Sequence, residues 1–301
     1  HTKLIRMLDD INNENIPIKE SFEKYFNEDN YFTWMAFNIL VGNLDTDTQN
    51  FYLYSPENSE KWYFIPWDYD GAFSRQDEKT KIYTDPWREG VSEYWGNVLH
   101  HRVLMQPEYR QKLDEKINQM LGYLTKDKIK SLLDSYYPVT YDYVTRMPDS
   151  LFLPGSIAKH DLMFKQVPDE IEMNYTLYKE SLQKPMPFFL DTPQKVGDKL
   201  EFSWGDSYDL NGSSITYRFE LATDPSFDNI IVDQQVANIS WINIPVLNPG
   251  IYFWKVVASN KDGKEQLPFD YYWDNEGVKY FGVKYLSITQ DGRILEYQNG
   301  E

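Results

Sequence analysis

The sequence predicts a multidomain α+β chain: residues 1–184 mostly helical with one hairpin, then an all-β sandwich over 188–301. Three observations carry this. Apolar residues recur at three- and four-residue steps in the first part, as in Phe32, Met35, Ala36, Ile39 and Leu40. Two short β-prone runs, Phe51–Tyr54 and Lys61–Ile65, flank turn chemistry at Ser55–Glu60. Beyond Lys184-Pro185-Met186-Pro187, a linker stiffened by proline, the apolar period changes to two.

The chain is already in helical periodicity at Leu4, Ile5, Leu8 and Ile11. Residues 17–44 read as two helices. Phe22, Tyr25 and Phe26 share one face, a break follows at Asn27–Asn30, and the second helix stops at Gly42. Trp34 and Trp67 are read as core residues. Residues 74–96 are polar and read equally as a surface loop or as a substrate-docking segment. From Asn97 to Leu124 the pattern is helical again, with Pro107 suited to a first turn. His100 and His101 are adjacent and so diverge on a helix, one buried and one exposed, rather than forming a metal pair. A further helix is predicted over Lys126–Tyr136. A last one carries Ile171, Tyr175 and Tyr178, after interruptions at Pro148, Pro154 and Gly155.

The chemistry concentrates in Gly42-Asn43-Leu44-Asp45-Thr46-Asp47-Thr48-Gln49-Asn50 and in Pro66-Trp67-Asp68-Tyr69-Asp70. A hairpin folded about the middle of the turn sets Asn50 opposite Ile65 and brings Asp68 back beside Asp47. Asp45, Asp47, Asp68, Asp70 and the Asn50 amide then converge, with no Lys or Arg between Lys24 and Lys61 to neutralise them. Such oxygen donors suit Mg²⁺, or Mn²⁺, carrying phosphates with it. An Asp, an Asn beyond a four-residue gap and a later Asp after a hairpin follow the logic of phosphoryl transfer. An ordinary acidic turn capping the next strand is the equal alternative on spacing alone. Paired carboxylates would also suit glycan hydrolysis, which has no need of the amide. A catalytically silent binding or structural protein is the third reading.

In the second part, Lys199–Trp204, Ile215–Leu221, Ile230–Val232 and Ile251–Ala258 read as strands, separated by turns such as Asn211-Gly212 and Asp262-Gly263. With Trp204 on an early strand and Leu247-Asn248-Pro249-Gly250-Ile251-Tyr252 leading into a late one, this part resembles a fibronectin type III-like sandwich. Tyr252 is the candidate for its corner hydrogen bond. The final strand is left between Phe269–Trp273 and Tyr280–Ile288. A spacer or interaction module is the expected role, with carbohydrate binding through Tyr271, Tyr272 and Trp273 as the alternative.

Composition bounds the rest. At 301 residues, 41% hydrophobic and 26% charged, the chain is globular and long enough for two cores. A net charge of −17 argues against nucleic acid as a partner and favours a basic protein one. The absence of cysteine excludes disulfides and Cys-ligated zinc. No apolar run approaches a membrane span. Sequons at Asn174, Asn211 and Asn238 are read as chance in so Asn-rich a chain.

The two-part segment Gly42-Asn43…Asp45…Asn50-Phe51-Tyr52-Leu53-Tyr54 and Trp62…Ile65-Pro66-Trp67-Asp68-Tyr69-Asp70…Phe73 resembles the CotH family of atypical kinases, of the spore coat protein H type. Looser similarity runs from Leu99 to Leu121. The resemblance implies ATP-dependent phosphorylation of protein serine on a kinase-like fold, with Asp45 as the catalytic Asp and Asn50 and Asp68 as metal ligands. It implies a Ser-rich or basic coat or envelope protein as substrate and a location outside the cell, in the envelope or the spore coat. Against the family pattern, residues 1–184 correspond to the helical C-lobe. The strands that grip the nucleotide and the lysine that pairs with phosphates have no counterpart here, so the expectation is a catalytic half that phosphorylates nothing alone.

Overall fold

The structure, a computed structural model, describes residues 1–153 and 155–295, with positions 78 and 79 described as backbone only. It is mixed α+β and divides into two compact units, one of His1–Thr84 with Glu89–Lys179, the other of Asp85–Arg88 with Glu180 onward. No helix among the described residues is long and apolar enough to cross a membrane.

The first unit holds α1 (Thr2–Asn12), α2 (Ile18–Tyr25), α3 (Glu28–Val41), the hairpin β1 (Phe51–Tyr54) and β2 (Tyr63–Pro66), then α4 (Glu78–Tyr83), α5 (Val98–Leu104), α6 (Pro107–Leu121), α7 (Lys126–Val144) and α8 (Ile157–Ser181). Helix α3 is the centre. It buries Tyr31, Phe32, Trp34, Met35, Ala36, Asn38, Ile39, Leu40 and Val41, so it is enclosed nearly all round. Its start is set by Asn27, whose side chain accepts from the Asn30 N–H at 2.9 Å, with Glu28 and Asp29 favourable in the first turn. Rings of Phe22, Phe26, Tyr31, Phe32, Phe64 and Tyr109 interlock around it. Asn97 and Thr125 cap α5 and α7 in the same way, and Pro107 opens α6 where its missing N–H costs nothing.

Three expectations need correction here. Helix α7 does not end at Tyr136 but runs through Pro138 to Val144. A proline inside a helix removes one backbone bond. Here Tyr137 donates to Asp161 of α8 at 2.8 Å and meets Phe164 edge-on, tethering the helix at the proline. The hairpin register is Phe51↔Pro66 to Tyr54↔Tyr63, two residues displaced from the symmetric fold-back. Trp62 leaves the hairpin turn to bond Tyr25 O and Asn27 N–H, which shifts the pairing. A shift of two preserves the faces. Trp34 is core, but Trp67 is 55% exposed, edge-on to the exposed Tyr52. The break expected at Pro154 lies outside the described residues.

The second unit has β3 (Gln194–Val196), β4 (Lys199–Ser203), β5 (Thr216–Ala222), β6 (Ile230–Ala237), β7 (Trp241–Pro245), β8 (Gly250–Ser259), β9 (Glu265–Gln266), β10 (Tyr271–Trp273), β11 (Lys279–Phe281), β12 (Val283–Ile288) and β13 (Ile294–Leu295). Two antiparallel sheets form, of order β13-β12-β8-β5-β6 with β9 on β8, and β3-β4-β7; β10 and β11 make a separate hairpin. Alternate residues of both sheets, among them Leu200, Phe202, Phe219, Leu221, Ile242, Ile244, Trp254 and Val256, close one core. Strand β12 takes the place beside β8, which settles the late-strand ambiguity in favour of Val283–Ile288. Strand β7, five residues long and paired along β4 alone, is not among the strands named from the sequence, although Ile242 and Ile244 alternate into the core. In β10–β11, the Lys279 ammonium lies over the rings of Tyr271, Trp273 and Phe281 and pairs with Asp85 at 2.8 Å, so those ring faces already have an occupant.

Candidate functional site

The site is built at the end of α3. Gly42 takes φ +60 and lets the chain turn off the helix, its N–H going to Asn38 O and Ile39 O while Asn43 N–H reaches back to Asn38 O at 3.1 Å. From α8, Asn174 donates to Leu40 O at 3.0 Å and fills the space beside Gly42, where a Cβ would lie 2.7 Å from its Nδ2. Buried to this degree, Asn174 offers no glycan acceptor, whatever its sequon. The loop is pinned again at Thr46, fully buried, which donates to Asn43 O and lies 3.3 Å from the Tyr94 hydroxyl.

Between those pins stand the residues singled out from sequence. Asp45 is half-buried, and its Oδ2 accepts from Asn50 Nδ2 at 2.6 Å, a short charge-assisted bond. The structure thus brings Asp45 and Asn50 together. Asn50 and Asp68 sit just outside the two ends of the hairpin, and both take positive φ, 59° and 53°. The short polar side chains of Asn and Asp tolerate that region, and the turn ends the ladder at this edge. Asp68 and Asp70 are exposed, Asp47 is half-buried. Among the described residues no three His, Asp or Glu side chains group so as to hold a metal ion, so the four aspartates do not form one metal-binding cluster. Asp68 follows the end of β2 at φ 53°, and the segment after it returns to the loop, where Gly71 meets Asn43 and Asp45.

That returning segment closes the site. Phe73, at φ 55° an uncommon state for a bulky residue, sends its N–H to Val41 O at 2.9 Å. Gly71 lies against Asn43 and Asp45. Next along the chain, the buried Glu170 carboxylate of α8 accepts from the Arg75 and Gln76 backbone N–H groups at 3.3 and 3.2 Å. Burial pushes the Glu170 carboxyl up, and the two backbone bonds partly offset that. Arg75 approaches the buried Glu93 at 3.9 Å. The second half of the polar 74–96 stretch, Glu89 to Trp95, is therefore interior and not a surface loop. Beneath it, His100 is buried with Nδ1 2.8 Å from the Tyr31 hydroxyl, and burial lowers its pKa to about 3. His101 is half-buried and stacked on Trp95 at 4.2 Å, so the two histidines diverge.

Residues 1–178 match the family described as CotH kinase protein. The chain belongs to that family. Among curated proteins, the inner spore coat protein H of Bacillus subtilis (strain 168) is 27% identical over 104 residues, 34% of this chain and 27% of the relative. The chain thus spans about a quarter of the length of that CotH relative. Among solved structures, a twitchin kinase region from C. elegans aligns with 32% of this chain and 19% of its own, at 18% identity and a TM-score of 0.18, too low to bear on the fold.

Reading the sequence missed several residues that build this CotH-family site. Asn43, Thr46 and Gly71 lie inside the quoted segments but carry no charge to mark them. Glu93, Glu170 and Asn174 are brought in from distant elements, and a buried Glu or Asn has no signature in composition or period.

Proposed function

We propose that this chain is the catalytic half of a CotH-type protein kinase, transferring the γ-phosphoryl group of ATP to a protein serine. Asp45 accepts the hydroxyl proton, and Asn50 with Asp68 would hold a divalent cation, Mg²⁺ or Mn²⁺. One observation carries this reading: the 2.6 Å bond from Asn50 Nδ2 to Asp45 Oδ2. An amide can serve both neighbours. Its nitrogen is spent on the carboxylate, which leaves its carbonyl oxygen for a cation, whereas a carboxylate at 50 would repel Asp45. The donors offered are oxygen only and few, which fits an ion that keeps water and takes its remaining ligands from phosphates. When bound, such an ion neutralises charge on the phosphates. This chain's own part is to fix the Asp45 carboxylate between the helix end and the hairpin, where a proton acceptor needs rigid support.

The remaining expectations stand as parts of the same proposal. No residue of this chain is assigned to gripping the nucleotide. A Ser-rich or basic coat or envelope protein fits as substrate given the net charge of −17; the spore coat relative supports an association with the spore coat, and a location in the envelope or outside the cell rests on the family reading alone. We read the second unit as a fibronectin type III-like interaction module. Its support is the pair of antiparallel sheets, Trp204 in the core, and Tyr252 donating to Asn248 O at 3.0 Å as a tyrosine corner does. Glycan binding through Tyr271 and Trp273 is disfavoured by the Lys279 ammonium on their faces. The test is phosphoryl transfer from ATP by the full-length gene product: loss in Asp45→Ala is expected, and an Asp45→Ala rate equal to wild type would overturn the assignment.

A further inference from the structure

The Asp45 carboxylate is set by an atom that is missing. A Cβ on Gly71 would lie 2.7 Å from Asp45 Oδ1, 3.1 Å from its Cγ and 3.0 Å from Asn43 Oδ1. Gly71 is not in the left-handed region, unlike Gly42 at φ +60, so its backbone does not call for glycine. The requirement is space. Two oxygens from the loop project into the notch that the absent side chain leaves.

The second of them has a fixed polarity. Asn38 Nδ2 donates to Trp34 O at 2.9 Å, so Asn38 Oδ1 is free to accept, and it accepts from Asn43 Nδ2 at 3.2 Å. This turns Asn43 Oδ1 toward Gly71. Asn43 is 0% exposed, and among the described residues that oxygen has no hydrogen-bond donor. An oriented carbonyl oxygen beside a carboxylate oxygen repels it. Asp45 is thereby kept from swinging inward, and its Oδ2 stays on Asn50.

We propose that Gly71 and Asn43 are positioning residues for Asp45: the missing Cβ opens the notch that receives Oδ1, and the Asn43 oxygen bounds it. The functional consequence rests on Asp45 being the proton acceptor. A methyl group at 71 forces the carboxylate off by about 0.7 Å to reach ordinary contact, and misplacement of about 1 Å costs about 100-fold in rate.

Gly71→Ala is the probe, because it adds one carbon without backbone strain. In the 301-residue chain the readout is the NMR resonance of the Asn50 side-chain amide, with Asp45→Ala marking the position it takes without its carboxylate. The Gly71→Ala chain is expected to keep its circular dichroism spectrum while the Asn50 amide moves toward the Asp45→Ala position. In the full-length gene product, kcat is expected to fall about 100-fold with KM for ATP changed less than about twofold. An unmoved Asn50 amide, or a raised KM with kcat intact, overturns the proposal. Should Gly71→Ala not fold, Asn43→Ala, which only removes atoms, carries the same readouts, and an unmoved amide is again decisive against it. If wild-type full-length protein transfers no phosphate, the kinase reading falls, while the amide resonance still decides whether Gly71 positions Asp45.

Discussion

His100 offers a measurement whose size follows from its surroundings. The ring lies among Tyr31, Trp34, Phe64 and Tyr94, the last of which meets Thr46 of the loop that carries Asp45. Burial holds its pKa down at about 3, from an ordinary 6.5, so the folded protein keeps the imidazole neutral. The unfolded chain takes up a proton as pH drops through about 6.5. Between the two values the unfolded state binds more protons, so stability is lost as pH falls. At pH 5 the folded pKa is still far below, and the loss relative to pH 8 is about 2 kcal/mol from this one residue. His100→Gln keeps a polar partner for the Tyr31 hydroxyl and removes the titration. Urea denaturation at the two pH values, followed by far-UV circular dichroism, gives the comparison. Wild type is expected to lose about 2 kcal/mol more than the variant between pH 8 and pH 5. Equal losses would refute the claim that this histidine is buried neutral under the site.

Two further substitutions test the loop. Gly42→Ala pays the left-handed penalty of about 1–2 kcal/mol and meets the Asn174 side chain, whereas Gly197→Ala, at φ +66 with nothing within 4 Å, pays the penalty alone. Thermal unfolding should therefore show Gly42→Ala the more destabilised by about 1 kcal/mol or more, and equal shifts would contradict the Asn174 contact. Asn50→Asp puts a second carboxylate on Asp45 Oδ2. Phosphoryl transfer by the full-length gene product should fall at least about 100-fold, and an unchanged kcat would show that the amide is not needed.

Much of the first unit was legible because its signals are local. The Gly42 stop and the Pro107 start each act within one helical turn, and the apolar stripe of α3 reports its burial directly, whereas the break read over Asn27–Asn30 is only the Asn27 cap, with the helix under way from Glu28. The hairpin was legible as two strands, but its register was not. Trp62 answers to Tyr25 and Asn27, residues far away in sequence, and a turn-centred fold-back cannot know that. The same holds for α7, where the tether from Tyr137 to Asp161 carries the helix through Pro138. At the site, Asp45 and Asn50 could be named from spacing, because a four-residue gap between charged and amide groups is visible. Asn43 and Gly71 could not, since what matters at Gly71 is the side chain it lacks and at Asn43 the direction of one oxygen. The Tyr252 corner bond is the counterexample in the second unit, a long-range-looking feature that is in fact four residues away at Asn248 and so was readable.

The central claim is that Asp45, Asn50 and Asp68 act together on phosphoryl transfer, and the direct measurement is incorporation of label from γ-labelled ATP by the full-length gene product with Mg²⁺. Wild type is expected to label itself or a serine-bearing protein, and Asp45→Ala and Asp68→Ala each to abolish labelling while the circular dichroism spectrum stays unchanged. Labelling of Asp68→Ala at the wild-type level would contradict the account.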